Sequence, residues 1–483
     1  MDSDEPPIRS TTVVPELSIR LFTWWPVFVS DMRAHERLGL GPEDVTAGCY
    51  YSSPLHMSLR QLTEKAAPGS GVRYRSACTL RSPERSSGAP PPHLRCLNEP
   101  ANSGRSWHTW VRIVRFPIRR KPVIGPITVW WSPMCTVQEL RRAGAGFLPP
   151  QPALPNDFWD QPDNLQAVVE YLQENPHGDQ TDLVWKVAEP VTEEELRPVH
   201  DPTYVAATLS NPDTFSVRAA LHAVGAAQAA TSDVLDQRAR ASYALVAPAG
   251  HHAGYAGRGR PGDVVEFCSG AVAAVDALRH HRVTRVAILD VDVHHGNGAQ
   301  DIFWTSPDVL TVSLHGWRNW APGTGGQDAV GDGDGRGTNI NLPLPWGSGG
   351  PTYDAAISEV VVPALDVFGP DLIVVAAGYD GGFTDPSGRM SLCSRDFHSI
   401  GQTLRHWIDS NDCLGVVLTH EGGYSTSYVP ILTAGFINGL GGGPPPTDPF
   451  LAHWGPNFAP PMSKEAEDVI DRGRAALELL ASR

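Results

Sequence analysis

Four short stretches of this chain each run from an apolar, largely β-branched block straight into side chains able to bind a metal or move a proton. They read YALVAPAGHHAG (243–254), RVAILDVDVHHGNG (285–298), PDLIVVAAGYDGG (370–382) and LGVVLTHEGGYS (414–425). Each block has the length of a strand buried on both faces, as in a parallel sheet covered by helices. In open α/β sheets the ligand crevice lies beyond the carboxyl ends of the strands. Residues spread from Ala244 to Tyr424 can therefore meet at one edge of one sheet.

The rest of the pattern supports an α/β class from Val123 onward. Ile127 to Trp131 reads as a first strand and Asn164 to Gln173 as an amphipathic helix, and strand and helix signals then alternate. Helices are expected over Gly270 to His280, Tyr353 to Phe368, Arg395 to Ser410 and Lys464 to Leu480. The Gly-rich stretches Pro322 to Gly337 and Trp346 to Gly350 read as loops that shape a site.

Charge divides the chain near Lys121. Residues 1–122 carry 17 Lys plus Arg against 11 Asp plus Glu, and the remainder carries enough acid to bring the whole chain to a net charge of -15. Two domains follow: a poorly ordered or unassigned extension, 1–122, with the aromatic patch Phe22 to Phe28, and a catalytic domain, 123–483. The acidic balance argues against direct nucleic-acid binding or a membrane surface and weakly favours cationic substrates.

The seven scattered cysteines form no C-x-x-C pair, which suggests neither a disulfide framework nor a thiolate zinc site. No apolar run reaches a membrane span and no signal-peptide pattern opens the chain. The expectation is a cytoplasmic protein, or a nuclear one if the source is eukaryotic; a homo-oligomer is compatible with it.

Asp292 and His294, two apart at a strand end, point to the same side and can grip one ion. Asp380, at the end of another strand, completes an Asp-His-Asp set. Three protein ligands with an open position describe a catalytic zinc, and the two oxygen donors also suit iron(II) or cobalt. A binuclear manganese site of the arginase type competes, with Asp385 as the one further acidic residue on offer nearby.

The adjacent His251 and His252 can divide labour if one pairs with a strong acceptor and stays cationic while the other stays near neutrality and moves a proton. Asp290 and Asn297 are suitably different partners. Tyr424, after Gly422-Gly423, can reach over a carbonyl and stabilise an oxyanion. His280-His281 reads as a solvated pair.

With AILDVDVHHGNGAQDIFW, TVSLHGW followed by PGTG, GYDGGFTDPSGRM and HEGGYS on the page, the chain resembles the histone deacetylase and acetylpolyamine amidohydrolase family, its class II and bacterial branch in particular. The resemblance covers about Val123 to Gly442. It implies the arginase/deacetylase-like α/β fold, a parallel sheet with helices on both faces and the active site at the strands' carboxyl ends.

It further implies zinc on Asp292, His294 and Asp380, His251 paired with Asp290, His252 paired with Asn297, and Tyr424 polarising the carbonyl. A structural potassium ion is implied at Asp290, Asp292, His294, Ser313 and Leu314. The substrate would be acetyl-lysine in protein or a small acetylated amine.

The chain departs from the family at the substrate channel. Glu266-Phe267 stands for the usual Gly-Phe, leaving Phe267 as one wall; Ala321, with Trp320 before it, replaces the second aromatic wall. Ser387 occupies the position after Asp-Pro that carries Glu in polyamine-selective relatives, and Gly422 belongs to the same expected surface. A second reading, a catalytically weak protein that binds acetylated ligands or acts as a scaffold, rests on these departures.

Overall fold

The computed structural model describes residues 74–78, 94–100, 107–111, 125–136, 162–174, 181–211, 214–257, 266–317, 323–454 and 459–483. The chain divides into two compact units, Met1–Lys121 and Pro122–Arg483. In the first, strands β1 (Tyr74–Cys78), β2 (Leu94–Pro100) and β3 (Trp107–Val111) form an antiparallel sheet in that order. The aromatic patch Phe22 to Phe28 lies outside the described residues.

The second unit is built on eight strands: β4 (Ile127–Trp131), β5 (Leu183–Val187), β6 (Ala241–Ala244), β7 (Val286–Asp290), β8 (Val309–Gly316), β9 (Asn339–Leu344), β10 (Leu372–Ala377) and β11 (Val416–His420). Their order is β5-β4-β6-β11-β10-β7-β8-β9 and every pairing is parallel. Every residue of β6 to β11 is buried, as the continuous apolar blocks require. The edge strand β5 departs from this, with Val184 and Val187 exposed.

The four strands that carry the polar ends are β6, β11, β10 and β7, four consecutive neighbours at the sheet centre. Asp290 lies level with Ala376 on one side and Ser313 on the other, and Ala377 lies level with His420. The loops that follow therefore leave the sheet side by side.

Each expected helix forms. Phe215–Leu235 packs on β4, β6 and β11, Ser269–Leu278 on β7, β10 and β11, and Lys464–Ala481 on β9. Helices Ser394–Ser410 and Val429–Gly441 pack on each other at very short range. A Cβ at Gly435 would stand 2.5 Å from Ser394 O, and one at Gly439 2.2 Å from His398 O, so only glycine lets the two backbones approach this far.

The helix expected over Tyr353 to Phe368 is continuous from Gly350 but widens to a π-turn at Ile357–Val361. Pro363 explains the widening, because it has no N–H to give the preceding turn. No described helix is long and apolar enough to cross a membrane.

Candidate metal centre and acid–base pair

Beyond β7 the backbone folds around its own carboxylates. Asp292 N–H donates to Asp290 Oδ1 (3.0 Å), His294 N–H to Asp292 Oδ1 (2.8 Å) and Val293 N–H to Asp380 Oδ1 (2.8 Å). These bonds bring Asp292, His294 and Asp380 together, with one ligand atom of each within 4.8 Å of the others and all three buried. His294 Nδ1 stands 3.0 Å from Asp292 Oδ1 and 2.8 Å from Asp380 Oδ2.

The donor set fits a metal ion. Asp380 is fully buried, and its Oδ2 is met at 2.8 Å by the His294 ring nitrogen, so that two buried carboxylates and an imidazole nitrogen converge on one point, the donor chemistry that a single divalent cation takes. Gly422 closes the other side: its N–H donates to Asp292 Oδ2 (2.8 Å), and a Cβ there would fall 2.4 Å from Asp380 Oδ2 and 2.7 Å from Asp292 Oδ2.

Electrostatics agree with the geometry. Burial and Asp292 push Asp380 up to about 7. Burial opposes charge on His294, yet Asp380 and Asp292 outweigh it and raise the imidazole to about 10. A cation entering the cluster displaces that proton.

Two histidines stand beside the cluster with opposite surroundings. His251 Nδ1–H donates to Asp290 Oδ2 (2.9 Å), and His252 Nδ1 lies 2.7 Å from Asn297 Oδ1. Burial disfavours charge on His251, but Asp292 and Asp290 together hold its pKa well above the ordinary value. His252 is pushed well below it by burial and by the cationic His251 and His294. With ring centroids 3.8 Å apart, the pair carries one charge, and the pairing with Asp290 assigns it to His251.

Tyr424 is half-buried on the turn after β11, its N–H held by Asp385 Oδ2 (2.7 Å). Asp385 Oδ1 also takes the N–H (2.9 Å) and hydroxyl (2.6 Å) of Ser387, so Asp385 shapes the rim. Among the described residues, the only cluster of metal-competent groups is Asp292, His294 and Asp380, which leaves the binuclear alternative without a second ligand set.

Ser313 lies beside Asp290 in register and its Oγ accepts Gly296 N–H (3.3 Å), with Leu314 next to it on β8. Phe267 is 2 % exposed and its ring packs against His200 and Tyr204. Glu266 is buried, and its carbonyl accepts the Tyr204 hydroxyl. Trp320 and Ala321 lie outside the described residues. His280 and His281 pair near the surface, as expected.

One buried carboxylate at the site was given no role by its sequence pattern. Glu421, between β11 and Gly422, accepts N–H groups from Gly250 and His251. Its sequence signal is an acidic residue immediately after a buried strand, Val416–His420.

Comparison with known proteins places this geometry in context. The family model described as "Histone deacetylase domain" matches residues 159–440. The histone deacetylase-like amidohydrolase of Pseudomonas aeruginosa is 38% identical over 221 residues, 45% of this chain and 57% of the relative. Histone deacetylase 8 of Arabidopsis thaliana is 34% identical over 242 residues, 49% and 62%.

Polyamine deacetylase HDAC10 of Mus musculus is 32% identical over 322 residues, 60% and 47%. The chain thus spans about half of the length of the curated relatives it matches. Among solved structures, the HDA15 HD domain superposes with a TM-score of 0.61 at 27% identity, covering 74% of this chain and 96% of that one. With a family model matching more than half of its residues, around the same four strand ends that build the site, the chain belongs to the histone deacetylase family.

Proposed function

We propose that the protein is a zinc-dependent amidohydrolase that removes an acetyl or related acyl group from an amine, either acetyl-lysine in protein or a small acetylated amine. The observation that carries this reading is the contrast between His251 and His252 beside a buried Asp-His-Asp cluster: a cation and a neutral base, held apart by different partners.

Zinc held by Asp292, His294 and Asp380 would supply a Lewis acid that polarises the acyl carbonyl and acidifies water. His252, kept neutral by its surroundings, accepts the proton of the attacking water. His251, kept cationic by Asp290, stabilises the negative charge that builds on the acyl group. The Tyr424 hydroxyl donates to the same developing oxyanion. As the C–N bond breaks, a histidine returns the proton to the leaving amine, so that acid and free amine are the products.

A potassium ion at Asp290, Asp292, His294, Ser313 and Leu314 would stiffen the loop after β7. The relatives named as an amidohydrolase and as a polyamine deacetylase support an acylated amine as the substrate class. The acidic domain favours a positively charged one.

The test is acetate release by the zinc-loaded protein from an acetyl-lysine peptide and from N-acetylputrescine, with a chelated control. Chelator-sensitive release from either is expected, and their ratio separates protein from polyamine substrates. Absence of release from both sinks the reading for acetylated amines.

A further inference from the structure

The turn that carries His251 and His252 receives little support from the sheet. Strand β6 ends at Ala244, Leu245 N–H still reaches Trp130 O (2.9 Å), and Pro248 has no N–H to give. At its far end the turn is held by a side chain that directly follows β11, the neighbour of β6. Glu421, 6 % exposed, accepts the N–H groups of Gly250 (2.6 Å) and His251 (3.0 Å) through Oε2.

Its Oε1 accepts the Thr419 hydroxyl (2.7 Å), and its own N–H is fixed on Ala377 O (3.0 Å). The residue is thus anchored on β10 through its backbone and on β11 through Thr419, and its carboxylate reaches the turn after β6. Burying a carboxylate is expensive, and an apolar side chain of similar size would fill the space at lower cost. What an apolar side chain lacks is an acceptor for two adjacent backbone N–H groups.

We infer that Glu421 is a positioning residue for the acid–base pair, clamping the Gly250–His251 backbone so that His251 meets Asp290 and His252 meets Asn297. This rests on the amidohydrolase reading, in which both imidazoles must face the scissile amide. Displacing such groups by about 1 Å costs on the order of 10²-fold in rate.

The experiment compares the full-length, zinc-loaded wild type with Glu421→Leu, Glu421→Gln and Thr419→Val. It measures kcat and KM on an acetyl-lysine peptide, zinc per chain, and the downfield NMR resonance of the His251 Nδ1 proton shared with Asp290. Glu421→Leu should lower kcat about 10- to 100-fold with KM little changed and one zinc retained, and should broaden or shift that resonance. Glu421→Gln keeps an oxygen acceptor and should restore most of kcat and the resonance, while Thr419→Val should give a smaller loss in the same direction.

Unchanged kcat and resonance in Glu421→Leu, a Gln variant as impaired as the Leu variant, or losses that track lost zinc would each overturn the positioning role. If the wild type itself releases no acetate, the amidohydrolase reading fails. The His251 resonance across the variants then still decides whether Glu421 holds the turn.

Discussion

In the proposed reaction His252 is the neutral base, and its removal should be felt in turnover more than in folding. His252→Ala is expected to reduce kcat by about 10² to 10⁴-fold; unchanged turnover would remove it from the chemistry. Its depressed pKa fixes the sign of the pH response. A base works only when unprotonated, so activity persists below the ordinary histidine value of roughly 6.5 and is lost as pH falls through the lowered pKa. Asn297→Asp puts a carboxylate on Nδ1 and should move the acidic limb of kcat/KM to higher pH; a limb that stays in place would show that Asn297 does not set it. Gly422→Ala should cost the metal, because its Cβ would fall on the Asp380 and Asp292 oxygens. Zinc content per chain reads this directly, and full occupancy would contradict the packing described. The grouping of Asp292, His294 and Asp380 and the placing of the tandem histidines beside it were legible because D-x-H and H-H at strand ends are local patterns. The clamp on Gly250 and His251 was not, since Glu421 lies 170 residues away along the chain and its bonds go to backbone.

The existence of the strands and helices named from the sequence followed from periodicity, whereas β5, β9 and the helix Phe215–Leu235 were not among them, and the points where elements stop or distort followed from tertiary contacts. β6 ends at Ala244 although the apolar run continues through Val246, because Pro248 and the turn toward the histidines draw the backbone out of register. The π-turn at Ile357–Val361 follows from Pro363, a residue that a periodicity count treats as one more apolar position. The approach of helices Ser394–Ser410 and Val429–Gly441 is equally specific. Gly439→Val would force a side chain into the His398 carbonyl and should destabilise the protein by about 1–3 kcal/mol, as overpacking does. Urea unfolding of the variant measures this, with zinc stoichiometry expected to stay at the wild-type value. An unchanged midpoint would mean that the pair can part without cost.

At the level of the whole molecule, a metal held by Asp292, His294 and Asp380 would be thermodynamically linked to the fold. Buried Asp292 and Asp380 repel one another, and a cation that binds only the folded chain stabilises it by about 4 kcal/mol when free metal exceeds Kd a thousandfold. Chelation should therefore lower Tm, and zinc should restore it; a Tm indifferent to chelator would mean that the cluster holds no tightly bound ion. The charge sign changes near Lys121 along the sequence, and the two compact units are Met1–Lys121 and Pro122–Arg483. The strand order was not visible, because nothing local in Val416–His420 says which neighbours it will take. That order has a consequence for synthesis of the chain. β11 is the last of the described strands in chain order, yet it alone joins β5-β4-β6 to β10-β7-β8-β9 in their sheet. A growing chain can carry Asp292, His294 and Asp380 outside the ribosome and still hold two unjoined half-sheets, so that the candidate site is complete only when β11 takes its place between them.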